Sequence, residues 1–135
     1  MTEFRAVTAN FAVSPQIAAE DVARAKSLGF TLIINNRPDG EAPDQPSGAR
    51  IAAAASAEGL AYVSIPIRGM PTPDQARAVR EALAAHGKAL AFCRSGTRSI
   101  TAWALGELAA GATPREDLVG LAAAAGYDLS GALPS

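Results

Sequence analysis

The stretch "AFCRSGTRSIT", Ala91 to Thr101, holds the one cysteine of the 135-residue chain. Upstream, "ALAFC" (Ala89–Cys93) is a compact apolar run bounded by Gly87, which reads as a buried strand. Downstream, Arg98 to Ala110 carries helical spacing and closes at Gly111, a glycine stop. Between them "RSGT" leaves room only for a tight loop. Strand, short glycine-containing loop and helix in this order make an α/β crossover. The rest of the chain repeats it.

"FAVS" (Phe11–Ser14) is a short strand candidate, and Pro15 to Leu28, closed by Gly29, is a helix. "FTLIIN" (Phe30–Asn35) is a β-branched strand, and the Pro-, Gly- and Asp-rich segment Asn36–Gly48 is a long loop. Ala49–Glu58 is an alanine-rich helix, "LAYVSIPI" (Leu60–Ile67) a strand, and Arg68–Pro71 a loop. Thr72, Pro73 and Gln75 form a capping box that opens a helix to about His86. Thr113, Pro114 and Glu116 repeat the device for a last helix to about Ala125.

Strands alternating with helices predict an α/β fold of three layers, a mostly parallel sheet with helices on both faces. No repeat or linker divides residues 1–135, so one domain is expected. In such a sheet every strand-to-helix loop leaves the carboxyl edge. The loops at 36–48, 68–72 and 93–98 then share one rim, bringing Asn36, Arg37, Arg68, Arg94 and Arg98 toward Cys93.

Apolar residues make up 49% of the chain, enough for an ordinary core. The formal net charge is −1, which gives no reason to expect nucleic acid or an anionic membrane as partner. A lone cysteine excludes an internal disulfide and a cysteine-based zinc site, and no acidic or histidine cluster predicts a metal or other cofactor. No apolar run approaches spanning length and the first residues lack a signal-peptide pattern, so a cytoplasmic protein is expected.

A thiol at the start of that loop has a physical use. Amides of a loop and first helical turn have no intrahelical partners and can converge on an anion. Gly96 permits the positive φ that curls the loop into a nest formed by residues Arg94, Ser95, Gly96, Thr97 and Arg98, and Arg98 adds a charged fork. The same surroundings favour a thiolate nucleophile. The plainer reading, a small hydrophobe at a strand end, explains neither the glycine nor the arginine.

These residues resemble the loops of cysteine phosphatases and rhodaneses. A wider set extends the match: "FAVSPQI" (11–17), "LIINNRPDGE" (32–41), "PIRGMPTPDQ" (66–75), "AFCRSGTRS" (91–99) and "AAAAGYDLS" (122–130). Together they are similar to the small bacterial family called beta-lactamase hydrolase-like protein, phosphatase-like domain. The resemblance implies a dual-specificity-phosphatase-like fold, and either phosphatase or sulfurtransferase chemistry on Cys93. It also implies a hydroxyl of Ser99 that hydrogen-bonds the Cys93 thiolate, and functional association with a persulfide dioxygenase-type metallohydrolase.

Two departures favour sulfur transfer. Phosphatases of this kind place five residues between cysteine and arginine, whereas Cys93 to Arg98 encloses four, the length of a rhodanese ring that holds one sulfane sulfur. They also protonate the leaving oxygen with an aspartate after the preceding strand, where this chain has Arg68–Gly69. The nearest aspartate, Asp74, is a helix N-terminal charge. Sulfur transfer from a small sulfane-sulfur donor needs no such acid. A phosphatase acting on a phosphoester through a cysteinyl-phosphate is the alternative, and a non-catalytic anion-binding module the third reading. Arg94 is expected to point to solvent and steer anions; Asn36 and Arg37 either shape the rim or serve only the turn of "NRPDG" (36–40), and Arg68 leans toward the rim.

Overall fold

A computed structural model describes residues 2–135. Five strands form one sheet: β1 (Arg5–Thr8), β2 (Phe11–Ser14), β3 (Leu32–Asn35), β4 (Ala61–Ser64) and β5 (Ala89–Phe92), in the order β1-β2-β5-β3-β4. β1 pairs antiparallel with β2, and all other pairings are parallel. The helices are α1 (Ala19–Ser27), α2 (Gly48–Ala57), α3 (Pro73–His86), α4 (Thr97–Ala109) and α5 (Arg115–Ala124).

Period-2 alternation divides the core. Val13, Ile34 and Ala91 point into the cluster with Val79, Ile100, Trp103 and Leu118, from α3, α4 and α5. Ala12, Ile33, Leu90 and Phe92 point the other way, against Val22, Ala25, Ile51 and Ala55 from α1 and α2. β3 and β5 are buried at every position, as central strands covered on both faces must be.

Register fixes the rim. Ser14 pairs with Phe92, Phe92 with Asn35, and Asn35 with Ser64, so four parallel strands end at one level. Their loops all leave the same edge, and Cys93 follows the central strand.

The structure differs from the sequence expectation at several ends. β1 is an additional strand; only Val7 of its four residues is buried, so "RAVT" carries little apolar signal. α1 begins at Ala19, four residues late, because the Asp21 carboxylate caps the Ala18 N–H at 2.8 Å and leaves Pro15–Ile17 as loop. β4 stops at Ser64, although Ile65 and Ile67 still donate their N–H groups to Asn35 and Asn36 carbonyls. The box at Thr72 forms, with both reciprocal bonds. The one expected at Thr113 does not: Pro114 takes the N-cap position, and it has no side-chain acceptor to offer.

Candidate active site

The loop that follows β5 is built around one glycine. Gly96 has φ +96°, the left-handed conformation that side chains resist, and serves as the N-cap of α4. It lies against Tyr127; a Cβ at this position would collide with the Tyr127 hydroxyl. With that curl, the Gly96 N–H donates to Cys93 Sγ at 3.1 Å. Cys93 itself is fully buried at the base of the loop. Arg94, Ser95 and Thr97 are exposed, and Ser95 Oγ donates to Thr97 Oγ1 at 3.0 Å.

Arg98 turns back over the sheet edge and is tightly held. Its Nη1 donates to Glu41 Oε2 (2.8 Å) and to the Ile67 carbonyl (2.6 Å), and its Nη2 to Glu41 Oε1 (2.9 Å). A guanidinium has five N–H groups. Three are committed here, both on Nη1 and one on Nη2. The edge left for a ligand is Nε–H with the second Nη2–H, a parallel pair suited to two oxygens of one anion. Arg98 is kept protonated first by Glu41, against burial, and then by the nearby Cys93 sulfur.

Glu41 joins two arginines, because Arg37 Nε also donates to its Oε1 at 3.0 Å. The backbone of this residue lies in solvent while the carboxylate turns inward, its side chain 24% exposed. Hydrogen bonds from Arg98, then from Arg37, hold the Glu41 carboxyl down at about 2 against the effect of burial. Arg37 is braced in turn by Gln16, whose Oε1 accepts from Nη1 at 3.1 Å, and the Gln16 N–H reaches the Arg94 carbonyl at 3.3 Å.

The residues expected at the rim thus divide. Cys93, Gly96 and Arg98 come together. Arg94 and Arg68 are exposed beside them, Arg68 directly after the carbonyl that holds Arg98. Arg37 is buried and acts as a brace for Glu41. Asn36 is withdrawn from the rim: it is fully buried, its Nδ2 donates to the Ile65 carbonyl (2.9 Å), and its Oδ1 accepts from Ser99 Oγ (2.8 Å). In this structure the Ser99 hydroxyl, expected on the Cys93 thiolate, is hydrogen-bonded to Asn36. A hydroxyl has one proton, and this one goes to Asn36 instead of the thiolate.

Three residues at the site were not foreseen: Glu41, Gln16 and Tyr127. Tyr127, just beyond α5, donates its hydroxyl to the Ser95 carbonyl at 2.8 Å. Among the described residues no three His, Cys, Asp or Glu side chains gather to hold a metal ion.

A cysteine at the end of a central parallel strand, a curled loop and an arginine from the following helix define a cysteine-phosphatase-like protein. The chain belongs to the family described as beta-lactamase hydrolase-like protein, phosphatase-like domain, whose model matches residues 3–111. A beta-lactamase hydrolase-like protein of Agrobacterium fabrum is 40% identical over 121 residues, covering 87% of this chain. The chain spans only 27% of that relative's length. A candidate phosphatase from Neisseria meningitidis has a similar structure, with a TM-score of 0.83, 28% identity, and coverage of 93% of this chain and 90% of that one. A kinase-associated phosphatase shares the fold at a TM-score of 0.66 and 16% identity, covering 90% and 80%.

Proposed function

We propose that the protein is a cysteine-dependent phosphatase that acts on phosphomonoesters with good leaving groups. The carrying observation is the fixed orientation of Arg98, whose Nε–Nη2 edge remains for two oxygens of a phosphoryl group beside Cys93. The phosphatase-like family and the Neisseria structure support the same chemistry.

In this reading the Cys93 thiolate attacks phosphorus. An S–P bond forms, the ester P–O bond breaks, and the departing oxygen leaves with the bonding pair. Loop amides and Arg98 stabilise the equatorial oxygens. Water then attacks the cysteinyl-phosphate, the S–P bond breaks, and phosphate and the thiolate are released. Among the described residues, carboxylates of the rim loops are otherwise engaged: Asp39 Oδ1 accepts from the Gly48 N–H. Arg68 stands in the loop after β4, Asp74 is exposed and paired with Arg77, and Glu41 is ionised at neutral pH. Absence of a general acid costs about 10²–10⁴-fold, a penalty that falls on poor leaving groups. Nitrophenyl phosphate should therefore be cleaved, and alkyl phosphates should be cleaved far more slowly. Cys93→Ser should abolish turnover. Arg98→Lys should raise KM, because an ammonium cannot present two parallel donors.

The short loop and the missing acid favour a second reading, transfer of a sulfane sulfur through a persulfide on Cys93. Intact mass after incubation with thiosulfate or glutathione persulfide separates the two. A gain of about 32 Da on Cys93, with no aryl-phosphate turnover by the same preparation, would replace the phosphatase reading with this one.

A further inference from the structure

Two hydrogen bonds at the loop belong to a single peptide group. The Ser95 carbonyl accepts from the Tyr127 hydroxyl at 2.8 Å, and the N–H of the same peptide unit, that of Gly96, donates to Cys93 Sγ at 3.1 Å. In a trans peptide the C=O and N–H point in opposite directions within one plane. Fixing the oxygen on one side therefore fixes where the hydrogen points on the other. The constraint matters because this unit precedes a glycine. Gly96 tolerates both signs of φ, so a rotation of the Ser95–Gly96 plane would meet little steric resistance. Such a rotation would turn the carbonyl oxygen, a negative dipole end, toward the sulfur.

We propose that Tyr127 is a positioning residue for the nucleophile. Its hydroxyl holds the Ser95–Gly96 peptide with its N–H aimed at Cys93, and by polarising the carbonyl it strengthens that N–H as a donor to the thiolate. The inference rests on Cys93 being the nucleophile, whichever group it transfers. Tyr127 is itself well fixed. Its N–H donates to the Ala122 carbonyl at 2.8 Å, the Arg5 guanidinium lies 5.5 Å from its ring centroid, and Arg5 Nη1 donates to the Ala125 carbonyl at 3.2 Å. The brace thus runs from β1 through the segment after α5 to the loop. Its middle member, Tyr127, lies outside residues 3–111, the part that the family model matches.

The test reads the sulfur directly. Cys93 is the only cysteine, so ultraviolet thiolate absorbance, taken as the difference from Cys93→Ser, reports this group alone. Tyr127→Phe keeps the ring and removes one hydrogen bond. At fixed pH it should lower the thiolate-to-thiol ratio roughly 3- to 10-fold with the melting temperature little changed. Replacing Tyr127 with 3-fluorotyrosine, a stronger donor while protonated, should raise the ratio. An unchanged ratio in Tyr127→Phe overturns the proposal. If that variant does not fold, an unchanged ratio in the fluorotyrosine protein does the same. Absence of aryl-phosphate turnover would count against the proposed function and leave this measurement standing.

Discussion

Glu41 cannot act as an acid at neutral pH, because its carboxyl stays ionised down to about 2. What it does is occupy one edge of Arg98 and share its other contact with Arg37, so that a flexible four-bond side chain is held in one pose. It also places a negative charge beside a site for anions, and the two effects oppose each other. Orientation should win, since both oxygens are bound by guanidinium groups and their charge is largely offset. Glu41→Gln then turns an N–H toward a guanidinium that has only donors. Loss of a charge-assisted contact is typically ~1.5–3 kcal/mol, so kcat/KM for an aryl phosphate should fall by at least about tenfold. An equal or higher kcat/KM would make Glu41 a screen instead of a brace. The acid limb of stability gives a second check. The folded-state value, about 2, lies below the ordinary 4.5, so the unfolded chain binds the proton first as pH falls. The stabilisation is complete above about pH 4.5 and is lost toward pH 2. Melts across that window should show a steeper loss for the native protein than for Glu41→Gln.

The loop and α4 form one device, and Gly96 is where it can be broken. A methyl group there meets two obstacles, a φ of +96° and the Tyr127 ring, whose Cζ would lie at 2.9 Å. Backbone strain of this kind costs about 1–3 kcal/mol. Gly96→Ala should lower the melting temperature and abolish turnover. Adding Tyr127→Ala should restore part of the stability, because the clash is removed while the strain remains. No recovery in the double variant would show that the strain alone matters. Elements like this one were legible in the sequence for physical reasons. β5 and β3 are continuous apolar runs, α3 has a complete capping box, and Gly96 sits in a segment too short for anything but a turn. β1 was not legible, since an edge strand with one buried residue has no periodic signal to offer. Glu41 and Tyr127 were hidden for a different reason. Each acts across the fold, 57 residues from Arg98 and 32 from Ser95, and a loop glutamate or a tyrosine after a helix reads as solvated or packed until its partner is known. The contact of Ser99 with Asn36 is hidden in the same way, because the two lie 63 residues apart.

The carboxyl edge collects contributions from all parts of the chain: Gln16 after β2, Glu41 after β3, the Ile67 carbonyl after β4, and Cys93 after β5. Among the described residues no helix is long and apolar enough to cross a membrane. The C-terminal quarter does more than cover the sheet. Leu118, Leu129 and Leu133 are at most 5% exposed and belong to the core that includes Val13, Ala91 and Trp103, while Tyr127 reaches the loop from the same segment. Although the family match ends at 111, the physical unit therefore does not. Removing a buried leucine side chain costs ~2–5 kcal/mol, and three of them rival the roughly 5–15 kcal/mol that stabilises a typical domain. A chain ended at Ala112 would also expose the face of β1 and α4 that these leucines cover. It should lose near-ultraviolet circular dichroism and the native environment of Trp103, which stacks on Phe11 at 5.3 Å. Its far-ultraviolet signal should fall without a cooperative melt. A cooperative transition within a few degrees of the full chain would mean that α5 and the following segment are an appendage, and that the site owes its rigidity to residues 3–111 alone.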